Sequence, residues 1–301
     1  MPVSKKPRAK TAAKTLSKAA APPALPDRRT MESFLAAISG RRGDSATAKA
    51  QGMMYEAWEQ TTSRSRIALA RKALCISPLC ADAYVLLAEE AARSVEEARD
   101  HYAKGVEAGE LALGPQGFEE YAGHFWGFLE TRPYMRARAG LASALLKLGD
   151  VDGAIDHFRD MLRLNPNDNQ GIRYILLGCL LERGDDGALK ELMAAYEDDA
   201  GVFWLYTRAL LAFREGGETD ERAAALAKNA FAANEHVPAI LAGAKTPVPS
   251  DSGYITMGGP DEATYYVTEC GSAWHRTPNA VAWLTRLAAA APKRRTRRAI
   301  H

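Results

Sequence analysis

Apolar residues between Tyr134 and Asn167 recur at steps of three and four positions, which is the spacing of one face of an α-helix. They fall on both sides of Gly149 and are Leu141, Leu145, Leu148, Ile155, Phe158, Met161 and Leu162. Gly149 provides the permissive backbone that a helix C-cap needs, and Pro166 cannot continue a helical hydrogen-bond ladder. This stretch therefore predicts two helices joined by a tight turn.

Small residues occupy the positions at which the two predicted helices must cross. Ala142 lies in the first helix and Ala154 in the second, with Phe158 as a large apolar anchor. This spacing resembles the tetratricopeptide repeat, whose period is about 34 residues. The resemblance implies that helical hairpins stack side by side and present a groove that binds other proteins.

Similar units extend in both directions from this reference unit. The pattern predicts hairpins at 46–78, from 83 onward, from 171 onward and at 202–234, followed by a short helix at 238–242. A short helix is also predicted at Met31–Ser39. Pro, Ser and Gly concentrate in residues 242–252, which indicates a linker. Pro260 and Pro278 each begin a further predicted helix.

The predicted fold class is all-α, a tetratricopeptide-like helical-hairpin solenoid with a C-terminal helical capping unit. The predicted organisation is a disordered basic tail at 1–30, a repeat array at 31–241, a linker at 242–252, a capping unit at 253–290 and a second basic tail at 291–301.

Charge is distributed unevenly along the chain. Residues 1–30 hold eight Lys and Arg against one acid, which gives +7, and residues 291–301 hold five with no acid. Because the whole chain carries +2, the residues between the tails carry −10. An acidic body argues against a nucleic-acid groove on the repeats. The tails serve solubility or make loose contacts with nucleic acid, and one of them could also occupy the groove of the acidic body.

The four cysteines contain no CxxC pair and no neighbouring histidine at metal-ligand spacing. We therefore expect reduced thiols, no metal and no cofactor. No apolar run approaches the roughly 18 to 20 residues of a membrane helix. The expectation is a soluble, cytoplasmic protein without membrane contact.

Residues 114–138 interrupt the repeat pattern with many aromatic residues. Phe118, Tyr121, Phe125 and Phe128 fit one face of an inserted helix between two repeats. Alternatively, the polar residues of this block form a site for a peptide or, through acid–base chemistry, for catalysis. No nucleophile motif accompanies them, so we expect no enzyme activity and no small-molecule substrate.

Three segments resemble one family more specifically. They are SPLCADAYVLLAEEA, FEEYAGHFWGFLETRPYMRARAGLASALL and MLRLNPNDNQGIRY, and they are similar to the suppression-of-tumorigenicity-seven family and its bacterial tetratricopeptide relatives. The resemblance implies an α-helical repeat protein with no established catalytic activity. Animal members of the family are thought to be membrane-anchored, a property not carried over because this sequence has no spanning segment.

The first functional hypothesis is a scaffold that binds an unidentified partner peptide or helix in the concave groove of the repeats. Candidate binding residues are His124, Trp126, Glu130, Arg132, Tyr134, Arg136 and Arg173. The inner positions Arg136, Ala139 and Ser143 do not reproduce the carboxylate clamp of tetratricopeptide co-chaperones. The alternative hypothesis is a nucleic-acid-associated adaptor that acts through its basic tails.

Overall fold

The computed structural model describes residues 45–248 and 255–291, and every regular element in these two ranges is helical. The α-helices are α1 Ala46–Trp58, α2 Ser63–Ile76, α3 Ala81–Glu90, α4 Val95–Glu120, α5 Arg132–Lys147, α6 Val151–Leu164, α7 Ile172–Arg183, α8 Asp186–Ala195, α9 Val202–Gly216, α10 Glu221–Ala233, α11 Val237–Leu241, α12 Pro260–Arg276 and α13 Ala280–Ala290. A 3₁₀ turn at Phe125–Gly127 lies between α4 and α5. The predicted helix at Met31–Ser39 lies outside the described residues.

Consecutive helices pack in pairs, as α1 with α2, α3 with α4, and so on to α9 with α10. We call α1, α3, α5, α7 and α9 the first helices and their partners the second helices. First helices of neighbouring pairs also contact each other at the N-terminal end, α1 with α3 and α3 with α5. The prediction of an all-α stack of helical hairpins is confirmed.

The reference hairpin α5–α6 shows why the sequence folds this way. Ala142, Ala154 and Phe158 are fully buried in the seam between its two helices. Gly149 has φ of +84°, and the N–H of Asp150 after it donates to the carbonyl of Leu145 at 3.0 Å. This left-handed glycine ends α5 and reverses the chain within a few residues.

All five second helices begin with a side chain that caps the backbone. The capping residues are Thr62, Ser94, Asp150, Asp185 and Asp220. Each accepts a hydrogen bond from an N–H of the first turn, a group that has no partner inside the helix. The cap therefore fixes the start of each second helix independently of tertiary packing.

The aromatic block does not form the single continuous helix that its spacing predicts. Helix α4 has a non-helical residue at Gly114, with φ of +60°, and ends at Glu120. Gly123 then adopts φ of +82°, which turns the chain into the 3₁₀ segment. The prediction of one helix through Phe128 is wrong because glycine at these points allows turns.

The C-terminal helices cover more than the end of the stack. Helix α12 packs against α7 and α9, the first helices of two successive pairs, and α13 packs against α10 and α11. The ring of Tyr266 on α12 lies 5.3 Å from that of Phe203 and 5.5 Å from that of Tyr206, both on α9. Trp274 lies about two turns further along α12. Its Nε1–H donates to the Tyr266 hydroxyl at 2.8 Å.

Polar contacts fix the far end of α12. Arg276 donates to the Glu182 carboxylate at 2.6 Å and also to the Glu182 carbonyl at 3.1 Å, at the C-terminus of α7. A cation at this position is favourable because the C-terminal end of a helix carries partial negative charge. Arg214 of α9 donates to the Thr277 hydroxyl at 3.0 Å.

Within residues 45–248 and 255–291, no helix combines the length and the apolar character needed to cross a membrane.

Candidate functional site

The aromatic block forms a packed cluster at the start of α5. The ring of Phe118 lies 5.2 Å from the rings of both Phe125 and Tyr134. Tyr134 is only 1% exposed. Its pKa is raised to about 12, mainly because burial disfavours the charged phenolate. Its hydroxyl accepts a hydrogen bond from Arg138. Tyr134 is thus part of the core between the hairpins α3–α4 and α5–α6.

The loop between the 3₁₀ turn and α5 is held by its own polar groups. The buried Thr131 hydroxyl donates to the carbonyl of Phe128 at 3.0 Å and to that of Phe125. Arg132 donates from Nε to the carbonyl of Trp126 at 2.9 Å, and its guanidinium carbon lies 5.4 Å from the centre of that ring. The structure therefore brings two of the candidate residues, Trp126 and Arg132, into direct contact.

His124 and Glu130 flank this loop and are exposed. The backbone N–H of His124 donates to the carbonyl of Tyr121 at 3.0 Å, so its place at the turn is fixed while its side chain faces solvent. These two residues lie at the rim of the loop that leads into α5.

Arg136 belongs to a polar network that crosses three first helices. It donates to both carboxylate oxygens of Asp82 on α3, from Nε at 2.8 Å and from Nη2 at 2.6 Å. The same carboxylate accepts from the amide of Gln51 on α1 at 2.7 Å. Asp82 is 0% exposed and the Arg136 side chain 12%, and the guanidinium also lies 5.5 Å from the Trp58 ring. This two-pronged pairing is the strong form of ion pair.

Sequence reasoning did not identify Gln51, Trp58 or Asp82. Asp82 is the one charged residue of the stretch ADAYVLLA and lies in the first turn of α3. An acid in that position is typical of a helix N-terminus, where it complements the helix dipole. Nothing local indicates that its partner lies 54 positions away.

Arg173 lies on a different hairpin, at the start of α7. It donates to Asp199 at 2.9 Å and to Asp168 at 3.0 Å, and its guanidinium carbon lies 4.4 Å from the centre of the Tyr174 ring. Asp168, with φ of +45°, also accepts from the backbone N–H of Arg173 at 3.0 Å and so begins α7. Arg173 links the turn before α7 to the turn before α9.

A third arginine cluster lies between α5 and α6. Arg138 pairs with Asp160 and donates from Nε to Nδ1 of His157 at 3.2 Å. Burial, followed by the Arg138 guanidinium, lowers the pKa of His157. An imidazole that accepts a hydrogen bond from arginine must be neutral at that nitrogen, so the geometry and the direction of the shift agree.

We expect this histidine to make stability depend on pH. Below the unfolded pKa of about 6.5, the unfolded chain binds a proton more readily than the folded chain, so the free energy of unfolding falls as pH decreases from there. Urea unfolding between pH 5 and pH 8 measures this slope. His157→Gln should flatten the slope, whereas the exposed control His275→Gln should leave it unchanged. An identical slope in all three proteins would contradict the assignment.

Comparison with known proteins shows one family. The family model described as ST7 protein matches residues 42–280. A suppressor of tumorigenicity 7 protein-like relative from Gallus gallus is 28% identical over 250 residues, covering 76% of this chain and 45% of the relative. A protein ST7 homolog from Caenorhabditis elegans is 34% identical over 118 residues, covering 37% of this chain and 22% of the relative.

The chain thus spans less than half the length of these curated relatives. The matched region runs from the residues just before α1 to the start of α13 and includes the aromatic block, the Asp82–Arg136 network and α12. Since the family model covers well over half of the chain, this protein belongs to the ST7 family.

Proposed function

We propose that this protein is a non-catalytic scaffold that binds a helix or peptide of another protein on the face formed by its first helices. We call this surface the first-helix face. In stacks of helical hairpins such a face forms an extended binding surface, because each pair contacts only its neighbours and leaves one side open.

The observation that carries the proposal is the position of α12. This helix packs against the first helices α7 and α9 as well as against α11, and it buries Tyr266, Cys270 and Trp274. An amphipathic helix of 17 residues is therefore already seated on one part of the face. This supports the same mode of binding, a helix laid along an apolar groove, for the part of the face over α1, α3 and α5.

The candidate residues divide into two groups in this proposal. Arg136, Tyr134 and Arg173 make strong contacts inside the protein, and their main role is to hold the helices in register. Trp126, Arg132, His124 and Glu130 form the loop at the edge of α5, where a partner contacts the protein. A substitution of Arg136 would change stability and binding together, so it is a poor test of binding alone.

The test uses a small residue at the edge of the core on the first-helix face. Ala139 is half-buried on α5, one turn after Arg136. In the full chain, Ala139→Arg places a long charged side chain on the face, while Ala194→Arg adds the same side chain at an exposed position of the second helix α8. Proteins captured from a lysate of the source cells are compared by quantitative mass spectrometry.

We expect at least one protein to be captured by the wild type and by Ala194→Arg but reduced about tenfold or more with Ala139→Arg, a loss of about 1.4 kcal/mol. The purified protein should then crosslink to a Ser143→p-benzoylphenylalanine variant, since Ser143 lies one turn further along the same helix. Equal capture by all three proteins would reject the first-helix face as the binding surface.

A further inference from the structure

The part of the first-helix face over α1, α3 and α5 combines aromatic and acidic groups. On α3, Glu89 follows Asp82 and Val85 on one side of the helix, because positions i, i+3 and i+7 lie above one another. Asp82 and Val85 are buried, so the Glu89 carboxylate is the acidic group at the surface on this side. Glu89 is exposed. On α1, Tyr55 and Trp58 are half-buried, and their ring centres lie 5.6 Å apart with the ring planes tilted by 54°. A face of this kind suits an amphipathic helix with a basic end.

The chain itself contains such a segment directly before α1. Apolar residues occupy positions i, i+3, i+4 and i+7 in MESFLAAIS, namely Met31, Phe34, Leu35 and Ile38. Arg41 and Arg42 follow in GRRGD. The buried positions of α12 follow the same kind of helical step, at Ala263, Tyr266, Cys270 and Trp274. Residues 31–44 lie outside the described residues, so the comparison rests on their sequence.

The connection to α1 is long enough for this segment to reach the face. Six residues separate Ser39 from the start of α1, and an extended chain of that length spans about 20 Å. Helix α1 has 13 residues and is itself about 20 Å long. A short connection also gives an effective concentration in roughly the millimolar range, which favours a contact between the segment and this face.

We propose that residues 31–39 bind as an amphipathic helix to the first-helix face over α1, α3 and α5, with Arg41 and Arg42 beside the Glu89 carboxylate of α3. This segment is then the counterpart of α12 at the other end of the stack. A partner of the kind proposed above has to compete with it. That competition rests on the proposed function, whereas the binding of the segment does not.

Photo-crosslinking in the full chain tests the contact directly. Phe34→p-benzoylphenylalanine should give crosslinks within the monomer to peptides of α1, α3 or α5, mapped by mass spectrometry. The matched control is Ser33→p-benzoylphenylalanine, on the opposite side of the predicted helix, which should give at least fivefold fewer. Absence of crosslinks from position 34, crosslinks mainly to second helices, or crosslinks only between two copies would each overturn the proposal.

A peptide-binding measurement separates this proposal from the scaffold proposal. A fluorescent peptide of residues 29–44 should bind the full-length Phe34→Asp/Leu35→Asp variant about tenfold more tightly than the wild type, because the wild-type segment already occupies the site. Ser33→Asp/Ala37→Asp adds the same charge to the other side and should behave as the wild type does. Equal binding by all three proteins overturns the proposed segment, while loss of partner capture by Ala139→Arg still supports the scaffold.

Discussion

Replacing Arg136 by alanine is expected to lower the free energy of unfolding by about 3–5 kcal/mol, the usual cost of removing one partner of a buried ion pair. The loss is large because Asp82 is fully buried and keeps only the Gln51 amide as a side-chain donor among the contacts described above. Since Gln51, Asp82 and Arg136 lie on α1, α3 and α5, hydrogen exchange should increase in all three helices. Urea unfolding and hydrogen exchange measured on the full chain provide the test.

The double variant Asp82→Ala/Arg136→Ala should lose less stability than the sum of the two single variants, because it leaves no uncompensated charge. Arg99→Ala is the matched control, since Arg99 pairs with Asp100 on the surface at 2.6 Å. Such exposed pairs contribute about 1 kcal/mol or less. A loss below about 1 kcal/mol for Arg136→Ala would show that the network does not join the first helices.

Trp274→Ala should destabilise the C-terminal half of the stack by about 3–5 kcal/mol, the typical effect of truncating a buried tryptophan. Trp274 is fully buried on α12, and its indole N–H donates to Tyr266, which packs on α9. Because repeats interact mainly with their neighbours, faster hydrogen exchange should appear in α7, α9 and α12 before it appears in α1 and α2.

His275→Ala is the control for this prediction, since His275 is the next residue of α12 and is exposed. It should change stability by no more than about 0.5 kcal/mol. If Trp274→Ala released α12 without any change in α7 or α9, the first-helix face would not depend on this helix for its stability.

The helical hairpins could be predicted from sequence because their determinants are local. Gly149 ends α5 and Asp150 caps α6, so two adjacent residues define the turn. The same signal recurs at every second helix, as Ser, Thr or Asp at the N-cap. Local hydrogen bonds and backbone preferences therefore fix where each hairpin turns, and the apolar spacing fixes which sides are buried.

The features that depend on distant residues could not be predicted in this way. Helical spacing placed Phe118, Tyr121, Phe125 and Phe128 on one face, but the positive φ of Gly123 separates them into a helix end and a turn. The pairing of Asp82 with Arg136 joins two hairpins, and no sequence pattern around either residue predicts it. The apolar side of α12 is evident from its sequence, but the pattern does not tell which helices cover it.

The position of α12 also has a consequence for synthesis. Helix α9 ends at Gly216. Its residues Phe203 and Tyr206 pack against Tyr266, so they are covered only after residues 260–276 have been synthesised. At translation rates of about 5–20 residues per second, the 60 residues that follow α9 take roughly 3–12 s. During that interval the nascent chain exposes apolar residues of α7 and α9. This is therefore the stage at which a chaperone would bind the chain, and a chain that ended there would be the most prone to aggregate.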